Sequence, residues 1–139
     1  MIYLYSERIK VLMRFLMDLS RLSKCDAKQN AAIIVNKDCD QIYSIGINGG
    51  AKGGINCMCN LAGKYTCIHA EANAIAKCYS QDTEKLMLCT TSPCITCAAM
   101  IINSGFTHVM YFDEYKDHFG IEMLKAAGII VLQFDKNQL

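Results

Sequence analysis

The chain has 139 residues, 53% of them hydrophobic, and a formal net charge of +1 from 14 basic and 13 acidic side chains. This length suits one compact domain over residues 1–139, and the apolar content is too high for a disordered chain. The near-neutral charge argues against a grip on polymeric nucleic acid, which needs a basic excess, and no apolar run approaches the ~20 residues of a membrane span.

The N-terminal stretch MIYLYSERIK brings acid and base early and has no small-residue cleavage site. It does not read as a secretory signal, so the expected location is cytoplasmic. Residues 6–23 place Ile9, Leu12, Met13, Leu16 and Leu19 at helical spacing, with Ser6 as the expected N-cap. A short apolar run at 31–36, the turn-like KDCD and then QIYSIGI predict a β-hairpin. Residues 46–68 hold six of the nine glycines and no acidic residue. They are expected to form a long loop, and long loops in compact domains are usually functional. Its glycine backbone with Lys52 and Lys64 suits a phosphate cradle, while a surface loop with merely solvated lysines fits the same residues.

Residues 69–79 are alanine-rich and helical in pattern. KLMLCT at 85–90 reads as a buried strand, and 94–104 as a helix with Gly105 just past its end. A strand at 107–112, a helix at 117–127 followed by Gly128, and a strand at 129–134 complete the chain. The alternation after residue 69 predicts an α/β sandwich with a partly parallel sheet and helices on both faces.

Nine cysteines is a high and odd number. Without a secretory signal, a disulfide framework is not expected, so metal ligation and buried thiols must share them. Cys39 falls in a predicted turn, and Cys78 and Cys89 read as core. Cys94 and Cys97 follow the only proline, Pro93, at the start of a predicted helix. Taken alone they fit two core residues, a redox pair or half of a metal site. His69-Ala70-Glu71 begins another predicted helix and changes the balance. A His/Cys/Cys set leaves the fourth position of a zinc ion open, as catalytic zinc sites do. Glu71, two residues from a ligand, is placed to carry a proton.

The chain now resembles a known family, the deoxycytidylate (dCMP) deaminases of the cytidine deaminase superfamily, the phage and bacterial type especially. The resemblance rests on SKCDAKQNAAIIVNKD, IGINGGAKGGINC, CIHAEANAIAK, TSPCITCAAMIINSGFTHVMYFDEYKD and LKAAGIIV, and on the H-x-E…P-C-x-x-C signature of zinc deaminases. It covers nearly all of the chain from about residue 20. It implies a three-layer α/β/α fold around a central mixed five-stranded sheet. It also implies hydrolysis of dCMP to dUMP, a supply reaction for dTTP synthesis. His69, Cys94 and Cys97 would hold zinc, and Glu71 would shuttle the proton. The Ala70 backbone N–H would meet the base carbonyl, and the Ser92 carbonyl would receive the amino group. Asn48 would contact sugar or phosphate, and Asn73 and Tyr115 would line the pocket.

The resemblance further implies a homo-hexamer regulated by dCTP and dTTP, with Mg2+ accompanying the effector. The effector or phosphate loop would comprise Gly46, Asn48, Gly49, Lys52 and Gly53. Here Ile47 and Ala51 stand where the family loop has tyrosine and proline. Some phage relatives carry a second, structural zinc whose cysteines would correspond to Cys25 and Cys57. Its histidines would lie in an insertion that is short here, and no histidine precedes His69. Cys59 and Cys67 share the loop, and with Cys25 and Cys57 make a candidate closed four-thiolate site. The alternatives kept open are a deaminase of dCTP, of a nucleoside or of an RNA base, a non-catalytic zinc-containing module that senses nucleotides, and a redox role for Cys94 and Cys97. His108 and His118 read as structural. Met13 and Met17 read as packing or subunit contact.

Overall fold

The computed structural model describes residues 6–54, 57–62 and 66–139. Lys64, one of the two loop lysines expected to meet a phosphate, lies outside the described residues.

Helix α1 runs Glu7–Ser20, and Ser6 caps it by accepting from the Ile9 N–H at 3.4 Å. Its buried residues are the five that the helical spacing selects: Ile9, Leu12, Met13, Leu16 and Leu19. Strands β1 (Ala31–Val35) and β2 (Ile42–Ile47) form the expected antiparallel hairpin. After β2 the chain makes the long excursion read as a loop. Among its described residues that excursion contains one short helix, α2 (Cys59–Ala62), and it is pinched at its neck. There the Gly49 and Ile68 N–H groups each donate to the other's carbonyl, at 3.2 and 2.8 Å.

Helix α3 (Ala70–Ala76) ends three residues before the expected limit, because the Lys77 N–H turns back to the Asn73 and Ile75 carbonyls. Strand β3 (Lys85–Thr91), helix α4 (Ile95–Asn103), strand β4 (Phe106–Asp113), helix α5 (Phe119–Ala126) and strand β5 (Ile130–Gln133) follow in the predicted order. Gly105 and Gly128 both take left-handed φ values, +81° and +84°, just beyond α4 and α5.

The five strands form one mixed sheet in the order β2-β1-β3-β4-β5. The β2–β1 and β1–β3 pairs are antiparallel, and the β3–β4 and β4–β5 pairs are parallel. Side chains alternate across the sheet as the strand period requires. Ile33, Val35, Leu86, Leu88, Met110 and Phe112 meet α1 on one face. Ala32, Ile34, Met87, Cys89, Val109 and Tyr111 meet α3, α4 and α5 on the other. The result is three layers, α/β/α. Every residue of β3 is buried, which explains why a central strand covered on both faces reads as an unbroken apolar run.

This topology decides where the chemistry sits. Because β1 runs antiparallel to β3, the loop entering β1 lies beside the loop leaving β3. The long excursion returns to the same end of the sheet, where α3 and α4 begin. No helix among the described residues is long and apolar enough to cross a membrane.

Candidate active site

His69 and Cys94 occupy equivalent places as the extended N-cap residues of α3 and α4. Cys97 follows in the first turn of α4. The Cys94 Sγ accepts from the Cys97 N–H at 3.5 Å, so the sulfur itself caps the helix. His69 Nδ1 lies 3.4 Å from the Cys94 Sγ and 3.5 Å from the Cys97 Sγ. With zinc–sulfur and zinc–nitrogen bonds of ~2.3 and ~2.05 Å, a tetrahedral site separates nitrogen from sulfur by about 3.6 Å. The three donors therefore stand almost where one zinc ion would hold them, with no fourth side chain in the cluster among the described residues.

Two glycines let the surrounding backbone close on these ligands. A Cβ on Gly46 would run into the Ala70 carbonyl and the Ala74 N–H, so β2 reaches α3 only because residue 46 has none. Likewise, a Cβ on Gly120 would clash with the Pro93 carbonyl and crowd Cys94, where the start of α5 presses on the start of α4.

The electrostatics follow from this crowding. Cys97 lowers the Cys94 thiol to about 4 through their shared hydrogen bond, and the same contact raises Cys97. One thiolate is thus stabilised at the expense of the other, and a cation between the two sulfurs relieves that competition. The Cys94 sulfur raises His69. Glu71 is only 6% exposed, and burial pushes its carboxyl up to about 7.

His69, Glu71 and Cys94 open onto a cavity of about 260 Å³. That is close to the lower end of the ~300–1,000 Å³ usual for small-molecule sites. Ala70, Ser92, Asn48 and Tyr115, all singled out in the sequence, line it too. Ser92 is buried, and its Oγ accepts from the Tyr115 N–H at 2.7 Å, which links the two sides of the mouth. Asn48 is also buried. Its Nδ2 donates to the Lys28 carbonyl at 2.7 Å and its Oδ1 accepts from the Asn30 N–H at 2.8 Å.

Other expected site residues lie elsewhere. Asn73 donates through Nδ2 to the Ile47 carbonyl at 2.8 Å, tying α3 to β2, and does not line the cavity. Gly46 is a residue of β2 rather than of a binding loop. Lys52 and Gly53 are exposed, and neither they nor Gly49 line the cavity among the described residues. His118 faces Glu114 at 3.5 Å on the surface. Four lining residues carried no signal in the sequence: Ala27, Lys28, Asn30 and Thr91. The Asn30 Oδ1 accepts from both the Thr90 and Thr91 hydroxyls, at 3.0 and 2.8 Å. Only the antiparallel pairing of β1 with β3 brings that loop to the site.

A second cluster borders the cavity. The sulfurs of Cys25, Cys57, Cys59 and Cys67 all lie within 4.8 Å of one another. The Cys57 Sγ is 3.3 Å from that of Cys25 and 3.2 Å from that of Cys59. The Cys57 thiol lowers Cys59 to about 6, while burial raises Cys67. Asp26 braces the group by accepting from the Asn60 N–H at 3.0 Å and from the Cys57 thiol at 3.5 Å.

The sequence pattern of the cytidine and deoxycytidylate deaminase zinc-binding region matches residues 6–113. Deoxycytidylate deaminase of Saccharomyces cerevisiae is 30% identical over 126 residues, covering 81% of this chain and 40% of the yeast protein. The ComE operon protein 2 of Bacillus subtilis is 33% identical over 130 residues, covering 87% of this chain and 68% of that protein. The chain thus spans about 40% of the length of the yeast enzyme. Among solved structures, the dCMP deaminase of cyanophage S-TIM5 in complex with dCMP and dUMP superposes with a TM-score of 0.84. It is 31% identical, covering 93% of this chain and 98% of that one. The Acinetobacter baumannii RibD structure, 18% identical with a TM-score of 0.71, shares the fold.

Proposed function

The chain belongs to the cytidine and deoxycytidylate deaminase family, and from that premise we propose that it hydrolyses dCMP to dUMP and ammonia. The observation that carries the reading is the convergence of His69, Cys94 and Cys97, at separations fitting one zinc ion, with the buried Glu71 carboxyl on a nucleotide-sized cavity.

In this reading His69, Cys94 and Cys97 hold the zinc. When bound, the metal supplies a water whose acidity is brought near neutrality. The remaining work falls to the chain. Glu71 takes a proton from the attacking water, delivers one to N3 of the pyrimidine and passes the next to the departing 4-amino group. Its burial raises the carboxyl above the usual range by disfavouring the charged form, which helps it hold a proton between these steps. The Ala70 N–H, in the first turn of α3, has no intrahelical acceptor and is free to hold the base carbonyl. The Ser92 carbonyl receives the leaving amine. Asn48 and Tyr115 bound the sugar side.

The test is dUMP and ammonia release from dCMP by the wild type and by Glu71→Gln, with zinc content measured in both. A rate reduced by several orders of magnitude with zinc retained is expected. A variant with full rate sinks the mechanism.

The same reading extends to Cys25, Cys57, Cys59 and Cys67 as a closed four-thiolate zinc site. Its support is the grouping of four sulfurs within 4.8 Å, in a pattern that leaves no open position. Metal analysis should find two zinc ions per chain and one in Cys57→Ser; one in the wild type overturns it. A hexamer, and control by dCTP with Mg2+ or by dTTP, complete the proposal. Size-exclusion chromatography with light scattering tests the first, and dCMP turnover with and without each effector tests the second.

A further inference from the structure

A ligand with a 5′-phosphate gains from a cation at the cavity, and the described loop lysine does not supply one. Lys52 is exposed and away from the lining. Of the described lining residues, Lys28 alone is a lysine or arginine.

Its placement is built rather than incidental. The buried Asn48 carboxamide grips both ends of the 28–30 segment, donating to the Lys28 carbonyl at 2.7 Å and accepting from the Asn30 N–H at 2.8 Å. The Asn48 backbone is fixed in turn, since the Ser23 hydroxyl donates to its carbonyl at 2.9 Å. The main chain of Lys28 is therefore held at the cavity, while its residue is exposed. Among the described residues no carboxylate pairs with it. The nearest acid in the chain, Asp26, is engaged by Asn60 and Cys57. The inner end of the cavity is given to His69, Cys94 and Glu71, which suit the reacting edge of a base. The charged end of a nucleotide then lies toward the solvent-exposed rim, where an ammonium with no carboxylate partner is available to a phosphate.

We propose that Lys28 is the specificity-determining residue that recognises the 5′-phosphate, giving a pyrimidine deoxynucleoside monophosphate its advantage over the nucleoside. This rests on the deaminase reading above. It differs from it in assigning the phosphate to the loop before β1 rather than to the glycine-rich excursion.

The experiment compares kcat/KM for dCMP and deoxycytidine in the wild type, Lys28→Ala, Lys28→Glu and Lys28→Arg. The dCMP-to-deoxycytidine ratio should fall about tenfold or more in Lys28→Ala, the size of a lost charge-assisted hydrogen bond. It should fall further in Lys28→Glu and recover in Lys28→Arg. The fall should lie in KM. An unchanged ratio, or equal losses on both substrates, overturns the proposal. Calorimetric binding of dUMP and of 2′-deoxyuridine to the same proteins needs no turnover. A wild-type preference for dUMP that vanishes in Lys28→Ala supports Lys28 even if no deamination is seen. No such preference in the wild type overturns the assignment.

Discussion

At the scale of single residues, the site depends on side chains that are absent as much as on those present. Gly120 allows α5 to lie on the Pro93–Cys94 backbone, and Gly46 does the same for β2 on Ala70. In Gly120→Ala the added Cβ would run into the Pro93 carbonyl, so either α5 or the Pro93–Cys94 backbone beside the site must shift. A shift of ~1 Å near reacting groups costs about a hundredfold in rate. The expected outcome is a large loss of dCMP turnover with a folded far-ultraviolet dichroism spectrum; an unchanged kcat would show that the contact is slack. Asn48 illustrates another burden. Asn48→Ala removes two hydrogen bonds from the loop carrying Lys28 and leaves the Lys28 carbonyl and Asn30 N–H unpaired. About 1–3 kcal/mol of stability should be lost, measurable by urea unfolding. His69, Glu71, Cys94 and Cys97 were legible in the sequence as a candidate group because a catalytic zinc site would demand those types at those spacings. Gly46 and Gly120 were not legible as close contacts, because a glycine marks where a side chain is missing without saying what fills the space.

At the scale of elements, the two sides of the sheet have separable duties. Helix α1 seals one face and contributes no residue to the cavity, whereas α3 and α4 begin at the ligands. Leu16 is fully buried on α1. Leu16→Ala should cost about 2–5 kcal/mol of unfolding free energy, while turnover per folded molecule at low temperature and zinc content stay at wild-type values. A matching loss of turnover would mean that α1 bears on the site after all. The helix periods and the hydrophobic strands read true because burial on one face leaves a repeat of 3.6 or 2 in the sequence. The excursion after β2 read as a loop carrying three cysteines of a candidate four-thiolate site, with no sign of how it closes. Its closure depends on the Gly49–Ile68 pair and on sulfurs gathered from residues 25 to 67, and such contacts leave no periodic trace.

At the scale of the whole molecule, the proposed zinc sites would link metal to fold. The candidate ligands of the His69 cluster come from two helices, and those of the four-cysteine cluster from the loop before β1 and the excursion after β2. An ion that binds only the folded chain stabilises it by mass action, by ~4 kcal/mol at a thousand times its dissociation constant. Chelation should therefore lower the melting temperature by several degrees, and readdition of zinc should restore it. A melting curve indifferent to chelator would contradict both sites. The ligands bind deprotonated, so the zinc-dependent increment should shrink as the solution is acidified and protons compete for sulfur and imidazole. Melting curves with and without chelator across a pH series read this directly.

The sequence by itself determined the element types, the α/β class and the residue types that mark His69, Glu71, Cys94 and Cys97 as a candidate zinc site and Cys25, Cys57, Cys59 and Cys67 as a second candidate cluster. Each of these is written in local spacing or in residue chemistry that has few other uses. Tertiary structure alone decided the rest: that Asn73 braces two elements instead of lining the cavity, that Lys52 stands clear of it, and that Lys28 and Asn30 belong to it. The reason is the antiparallel register of β1 against β3, which sets residues some sixty positions apart side by side. Strand pairing is a choice between distant segments, and no single segment records it.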